Sequence, residues 1–183
     1  MDISKAQQEF DYAYYAGGPG VFASGLVWLA AAGVSYLMTN VEGMLTLFFA
    51  GMLIHPLGLM FAKILQRPAK HSKGNPLAVN AIENLMILFV GLFVAFVISI
   101  TEPNWFFPIM LMTIGVRYLG FQTLYGNKLY WVMGSVLIIA GGLGFYVKPE
   151  SWLAALIGSL IELIFGLVIT LRARTASMLA VKA

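Results

Sequence analysis

The chain has 183 residues, of which 60% are hydrophobic and 10% are charged. This composition excludes an ordinary soluble domain and is typical of a membrane protein. The formal net charge of +3 does not indicate a nucleic-acid partner, because the basic residues have a topological explanation. The absence of cysteine excludes disulfides, thiol chemistry and cysteine-based metal sites.

Residues 1–19 precede the first apolar stretch and are predicted to lie on the cytoplasmic side. Apolar side chains recur at three- and four-residue spacing at Ile3, Ala6, Phe10 and Ala13. This spacing favours a short amphipathic helix on the membrane surface, with a disordered tail as the alternative. The chain stays polar up to Phe10, unlike a cleavable signal peptide, so the first span is predicted to be retained.

Six apolar stretches follow, each near the length of about 20 residues that crosses a bilayer. They cover Gly20–Met38, Met44–Leu65, Leu77–Ile100, Phe106–Tyr125, Leu129–Val147 and Trp152–Leu171. Continuous apolar runs favour helices over the alternating strands of a barrel, and short loops make sequential helices antiparallel neighbours. The predicted fold is an all-α integral membrane bundle of six transmembrane helices over residues 20–171, followed by a short cytoplasmic tail at 172–183.

The basic residues predict the orientation of this bundle. Placing both termini in the cytoplasm collects nine basic residues on the inner side: Lys5, Lys63, Arg67, Lys70, Lys73, Lys128, Arg172, Arg174 and Lys182. Only Lys148 then lies in an outer loop. The loop with Arg67, Lys70 and Lys73 is basic enough to contact anionic lipid headgroups, and an ordinary positive-inside loop is the alternative.

The chain can also be divided into three hairpins, each with a glutamate in its outer turn: Glu42, Glu102 and Glu150. About 12 to 15 residues later each descending helix contains an ionisable group: His55, Arg117 and Glu162. A threefold hairpin repeat and chance similarity between apolar helices both explain this pattern.

Ionisable side chains inside the apolar stretches mark the candidate site. Glu83, Arg117, Glu162 and His55 are costly at bilayer depth, and the helical rise places all four in one layer near the midplane. Asn80, Asn84 and Gln122 extend this layer, and Asn80, Glu83 and Asn84 share one helix face. We therefore predict a substrate or proton site at these seven residues.

The charge balance of the layer is uneven. Arg117 cannot lose its proton, so it is predicted to pair with Glu83 or Glu162. The excess acid is then balanced by a charged His55, or it carries a proton because low dielectric disfavours the ionised form. Glu162 is the better candidate for the protonated acid, since Asn80 and Asn84 can solvate Glu83. A closed structural network would contain the same residues.

A kink is predicted at His55-Pro56, because proline removes a helical hydrogen bond. The sequence contains none of the nucleotide-binding, zinc-protease or serine-hydrolase motifs. We therefore expect no enzyme activity, no cofactor and no metal site.

Several stretches resemble an uncharacterised family of small multi-pass bacterial membrane proteins. They are 18–21, 24–28, 75–77, 105–108, 117–119 and 125–126. The resemblance covers most of the chain and implies a bacterial cytoplasmic membrane, but no activity, substrate or site residue.

Two functions are compatible with these observations. The first is a small secondary transporter or permeation protein whose charged layer binds a proton or an unknown small solute. The alternative is a non-transporting membrane scaffold or accessory subunit in which the buried charges are structural. A homo-oligomer is compatible with both functions.

Overall fold

The computed structural model describes residues 2–182, with side chains described up to residue 175, and this part of the chain contains helices and no β-strand. The helices are α1 (Ile3–Tyr14), α2 (Gly18–Leu37), α3 (Asn40–Gly51), α4 (Ile54–Ile64), α5 (Ala78–Ser99), α6 (Phe106–Tyr125), α7 (Leu129–Val147) and α8 (Ser151–Lys182). The all-α prediction is confirmed. Residues 172–182 of the predicted tail continue α8, and the side chains of 176–183 lie outside the described residues.

The N-terminal segment is helical, and α1 buries Ala6, Phe10 and Ala13 against the bundle, whereas the prediction placed this apolar face on the membrane surface. It ends in a short 3-10 turn, Tyr15–Gly17, in which all three residues have left-handed backbone angles. The chain then enters α2 at Gly18, with Pro19 in the first turn, where the missing N–H of proline costs nothing.

The predicted second span is broken into α3 and α4, whose axes differ by 52°. Thr39 caps the start of α3 by accepting a hydrogen bond from the backbone N–H of Glu42. Pro56 lies in the first turn of α4, so the bend occurs where the His55-Pro56 pair predicts it.

Several helices are long and apolar enough to cross a membrane. The candidate spans among the described residues are Ile3–Leu37, whose apolar part is α2, then Ala78–Ser99, Leu129–Val147 and Ser151–Thr175. The bent pair α3 and α4 gives a fifth if it acts as one span, whereas α6 is not in this set. These helices have the length and composition of membrane spans, and the six-span count and the hairpin repeat stay predictions.

The centre of the bundle is the pair α2 and α8, which pack along their length; α3 and α4 pack on α2, α7 packs on α6, and α5 packs on α6. Glycines allow neighbouring helices to approach each other most closely. A Cβ atom at Gly166 of α8 would lie 2.6 Å from the backbone nitrogen of Phe22, and one at Gly115 of α6 would lie 2.7 Å from the carbonyl oxygen of Gly134. Small residues at helix crossings are typical of membrane bundles.

Polar contacts define the two ends of the bundle. At one end, the α1 end, Gln7 donates a hydrogen bond to the carbonyl of Thr123, near the end of α6. At the other, the Asn104 end, the side chain of Asn104 accepts hydrogen bonds from Asn40 and Ser151. Helix α6 therefore runs the full length of the bundle, although its composition does not mark it as a span.

Candidate functional site around Glu162

Glu162 is the most deeply buried charged side chain that the structure describes, with 0% of its surface exposed. The hydroxyl of Tyr118, on α6, donates a 2.8 Å hydrogen bond to its Oε1 atom. Its Oε2 atom is buried without a hydrogen-bond partner. Ser24 of α2 faces the same carboxyl group, so three helices enclose it.

The sequence of α8 explains why a carboxylate is buried here. The residues at three- and four-residue spacing along one face are all buried: Ala155, Gly158, Ser159, Glu162, Gly166 and Ile169. Ser159 donates a 2.9 Å hydrogen bond to the carbonyl of Gly25 on α2, which fixes the two helices next to the glutamate. Glu162 therefore occupies a core position of the helix that is otherwise filled by small or apolar residues.

Arg117 precedes Tyr118 on α6 and is half-buried. Its Nε atom donates a 2.9 Å hydrogen bond to the backbone carbonyl of Asn84 on α5. Arg117 and Glu162 interact electrostatically, but the hydrogen bond that Glu162 accepts at Oε1 comes from Tyr118, and its Oε2 atom has no hydrogen-bond partner. Among the described residues Arg117 makes no hydrogen bond or close ion pair with either glutamate, so its predicted pairing stays a prediction.

Asn84 joins α5 to this cluster and is 4% exposed. Its amide nitrogen donates to the carbonyl of Asn80 at 2.8 Å, while its Oδ1 atom is buried without a partner. Gly120 of α6 provides the space, since a Cβ atom there would lie 2.8 Å from Oδ1. We call Glu162, Tyr118, Ser24, Arg117 and Asn84 the Glu162 cluster.

The structure separates the other predicted site residues from this cluster. Glu83 on α5 and His55 on α4 are exposed on the surface of the bundle, and Asn80 and Gln122 are half-buried. The predicted single layer is therefore divided into a buried acidic centre and two exposed ionisable side chains. Among the residues described, no group of three or more His, Asp or Glu side chains is arranged to hold a metal ion.

A column of tyrosine rings leads from the cluster toward the α1 end. The rings of Tyr118 and Tyr130 lie 5.9 Å apart, and those of Tyr130 and Tyr125 stack at 5.5 Å. The hydroxyl of Tyr130 donates a 2.6 Å hydrogen bond to the carbonyl of Ala16, in the turn between α1 and α2. This turn closes the column at the α1 end.

Sequence reasoning missed Tyr118 and Ser24 as site residues. A signal was available for Tyr118, because it lies seven residues before the end of α6, whereas tyrosines that anchor an interface lie at helix ends. Ser24 has no comparable signal, since serines are frequent inside apolar helices and only the packing of α2 on α8 places it beside Glu162.

The fold and the cluster define an all-helical protein with membrane-length helices and a buried carboxyl group at its centre. Residues 3–172 match a family of unknown function, DUF7010, and the chain belongs to that family. The resemblance to an uncharacterised family is thereby confirmed. No curated protein and no solved structure matches the chain.

Proposed function

We propose that this protein is a small proton-linked secondary transporter or permeation protein in which Glu162 is the proton-carrying group. The observation that carries the proposal is the unequal state of its two carboxyl oxygens, one bonded to Tyr118 and one buried without a partner. An ionised carboxylate in this position is poorly solvated, whereas a protonated one has an O–H that needs an acceptor. In both charge states the Oε2 atom lacks a hydrogen-bond partner. Gain or loss of the proton therefore favours a rearrangement of α2, α6 and α8.

Arg117 supports the same function from the next position on α6. Its positive charge favours the ionised form of Glu162, and its hydrogen bond to Asn84 connects this effect to α5. Charged groups that interact across helices are a recurring feature of proton relays in membrane proteins. A change in the charge of Glu162 would thus alter the contact between α5 and α6 as well.

The tyrosine column suggests the direction from which the proton arrives. It connects the Glu162 cluster to the α1 end, where the turn Tyr15–Gly17 covers Tyr130 and Tyr125. We propose that the α1 end faces the cytoplasm of a bacterial cell and that six spans place both termini inside. The basic loop at Arg67, Lys70 and Lys73 would then contact anionic headgroups of the inner leaflet.

One observation favours the alternative function, a non-transporting scaffold or accessory subunit. The carboxyl group is completely enclosed, and α2 and α8 are fixed beside it by the hydrogen bond from Ser159 to Gly25. A permanently closed cluster would hold helices together without exchanging protons.

Access from water distinguishes the two functions. The chain has no cysteine, so Ser24→Cys introduces a single thiol of nearly unchanged size beside Glu162. In liposomes, a transporter that opens toward one side should allow a membrane-impermeant cationic thiosulfonate to label this cysteine. We also expect the labelling rate to depend on pH, and to lose that dependence when Glu162→Gln is added.

Two further variants provide matched controls for this experiment. Ala155→Cys, on the buried face of α8 and 0% exposed, should stay unlabelled, while Ser72→Cys in an exposed loop should label at once. Labelling of Ser24→Cys no faster than that of Ala155→Cys, at every pH, would contradict the transporter proposal and favour the scaffold.

A further inference from the structure

Helix α5 has the least protein around it among the candidate spans. Only 11% of the most apolar 18-residue stretch of α5 is buried inside the protein, against 33% for α7. The reason is that α5 packs mainly on α6. Between the two helices lies an open apolar groove of about 470 Å³, lined by residues that include Met86 and Val90 of α5 and Met112 and Val116 of α6. We call it the α5–α6 groove.

Glu83 lies at one end of this groove. It is exposed and precedes Met86 and Val90 by three and seven residues, which is the spacing of one helix face. Leu77, just before α5, packs with Ala6 and Phe10 of the amphipathic helix α1. Glu83, six residues after Leu77, is therefore about 9 Å deeper than the level of α1. An unmatched carboxylate that faces lipid at this depth is costly.

His55 is the complementary group on a different face of the bundle. It is exposed near the start of α4, among apolar side chains that are also exposed, such as Leu53 (54%) and Met60 (44%). It lies nine residues, about 14 Å, from the inner end of α4 along the helix axis. His55 and Glu83 therefore both lie within the inner half of a bilayer core of about 30 Å.

We propose that the α5–α6 groove binds a second copy of this chain, whose α4 enters the groove and donates a His55 ring N–H to Glu83. The imidazole ring has at least one N–H donor in either protonation state, so the pairing does not require a charged histidine. A lipid acyl chain would fill the groove but would leave the carboxylate unmatched. Every copy carries both halves of this contact on different faces, so the contact is heterologous and links more than two copies into a ring or an open row.

Mixed cysteine cross-linking tests the contact in membranes of cells that express the full chain. Two copies with different tags are co-expressed, one with Glu83→Cys and the other with His55→Cys, and oxidised with copper phenanthroline. No other thiol is present in the protein. We expect a cross-linked dimer that contains both tags, and little dimer when either variant is expressed alone.

A pair on another exposed face is the control, Ile139→Cys with Leu143→Cys on α7. Mixed cross-linking no stronger than this control would contradict the proposal. Efficient cross-linking between two copies of the Glu83→Cys variant would also contradict it, because this result indicates a symmetric contact. Cross-linking of the cysteines only to a different protein would contradict it as well.

Leucine substitutions measure what the hydrogen bond contributes. Because both side chains are exposed, Glu83→Leu and His55→Leu should fold, and each should weaken association in liposomes by about threefold to twentyfold, the range of interhelical hydrogen bonds in membranes. The exchange Glu83→His with His55→Glu should restore it. Unchanged association in both leucine variants would overturn the pairing. Glu162→Gln should leave association unchanged, which separates this contact from the proposed transport function.

Discussion

At the scale of single residues, Tyr118 donates a 2.8 Å hydrogen bond to the carboxyl group of Glu162, and Ser24 faces the same group. Tyr118→Phe removes one hydroxyl and leaves the Oε1 atom of Glu162 without the Tyr118 donor. We expect the free energy of unfolding to fall by about 1–3 kcal/mol, the cost of an unsatisfied buried polar group. Thermal unfolding in detergent measures this loss, with the exposed Tyr36→Phe as a control that should have little effect.

The charge state of Glu162 can be determined through Arg117. Arg117→Leu should destabilise the protein, by about 3 kcal/mol if it breaks a buried charge interaction. In a double-mutant cycle with Glu162→Gln, we expect a coupling of about 0.5–3 kcal/mol at a pH where Glu162 is ionised, and none where it carries a proton.

Glu83→Gln is the control for this cycle, because Glu83 is exposed and the hydrogen bond of Arg117 goes to Asn84. A coupling that is the same at every pH would show that Glu162 does not change its charge. A larger coupling with Glu83 than with Glu162 would mean that the predicted pairing involves the wrong glutamate.

The sequence predicts which residues are ionisable at depth, but it does not predict which of them face the protein. Glu83 and Glu162 both lie in apolar helices, and the apolar neighbours of Glu162 along the chain indicated the greater cost of its charge. The decisive difference is spatial, since α8 packs on α2, α7 and α6 whereas α5 packs mainly on α6. Only the packing of helices makes this difference.

At the scale of helices, the sequence predicts element type and boundaries well. Apolar length predicts α5, α6 and α7 to within a residue or two, and Pro56 predicts the bend between α3 and α4. The docking of α1 was not predictable, because it depends on contacts between residues more than 60 positions apart. Glu9, for example, accepts hydrogen bonds from Ser72 and Asn75.

The turn between α1 and α2 has little tolerance for side-chain atoms. Gly17 has a φ of 78°, and a Cβ atom there would lie 2.5 Å from the hydroxyl of Tyr130 and 2.7 Å from the ring of Tyr125. Gly17→Ala should therefore destabilise the protein by about 2 kcal/mol from backbone strain alone, with steric overlap added. Thermal unfolding is the measurement.

Gly20→Ala is the matched control, three residues further along, because a Cβ atom at Gly20 meets nothing within 4 Å. Alanine is more favourable than glycine inside a helix by about 1 kcal/mol. The free energy of unfolding of Gly20→Ala should therefore be unchanged or slightly higher. Equal effects of the two substitutions would show that the turn is not packed against the tyrosine column.

The contacts of Glu9 should determine whether α1 stays on the bundle. Glu9→Gln removes the negative charge from hydrogen bonds to the loop, and charge-assisted bonds are about twice as strong as neutral ones. We expect faster amide hydrogen exchange across α1, with no change in α7. Gln8→Glu adds a charge at an exposed neighbouring position and serves as the control. Equal exchange in Glu9→Gln and the unmodified protein would mean that the apolar face alone, including Phe10, holds α1 in place.

At the scale of the whole molecule, hydropathy predicts which segments are spans but not which spans are neighbours. The central pair joins α2 to α8, the first and last long helices of the chain, and their contact depends on glycines such as Gly25 and Gly166. Small residues occur in most of the helices, so their positions do not identify the partner. The buried cluster depends on this pairing, since α2 provides Ser24 and α8 provides Glu162.

The number of crossings depends on α6. Its composition does not mark it as a span, yet it begins beside Asn104 at one end of the bundle and reaches Gln7 at the other. The polar groups of Arg117 and Tyr118 lower its apolar character, but they bond to Asn84 and Glu162 inside the protein, which removes much of their cost in lipid. We therefore expect α6 to cross the membrane and the protein to have six spans.

Single cysteines at exposed loop positions test this topology in intact cells. Ser72→Cys and Lys128→Cys lie at the α1 end, and Thr101→Cys lies at the Asn104 end. With six spans and an inward-facing α1 end, an impermeant maleimide should label Thr101→Cys from outside, and the other two only after the cells are opened. Labelling of Lys128→Cys from the same side as Thr101→Cys would mean that α6 does not cross and would reduce the bundle to five spans.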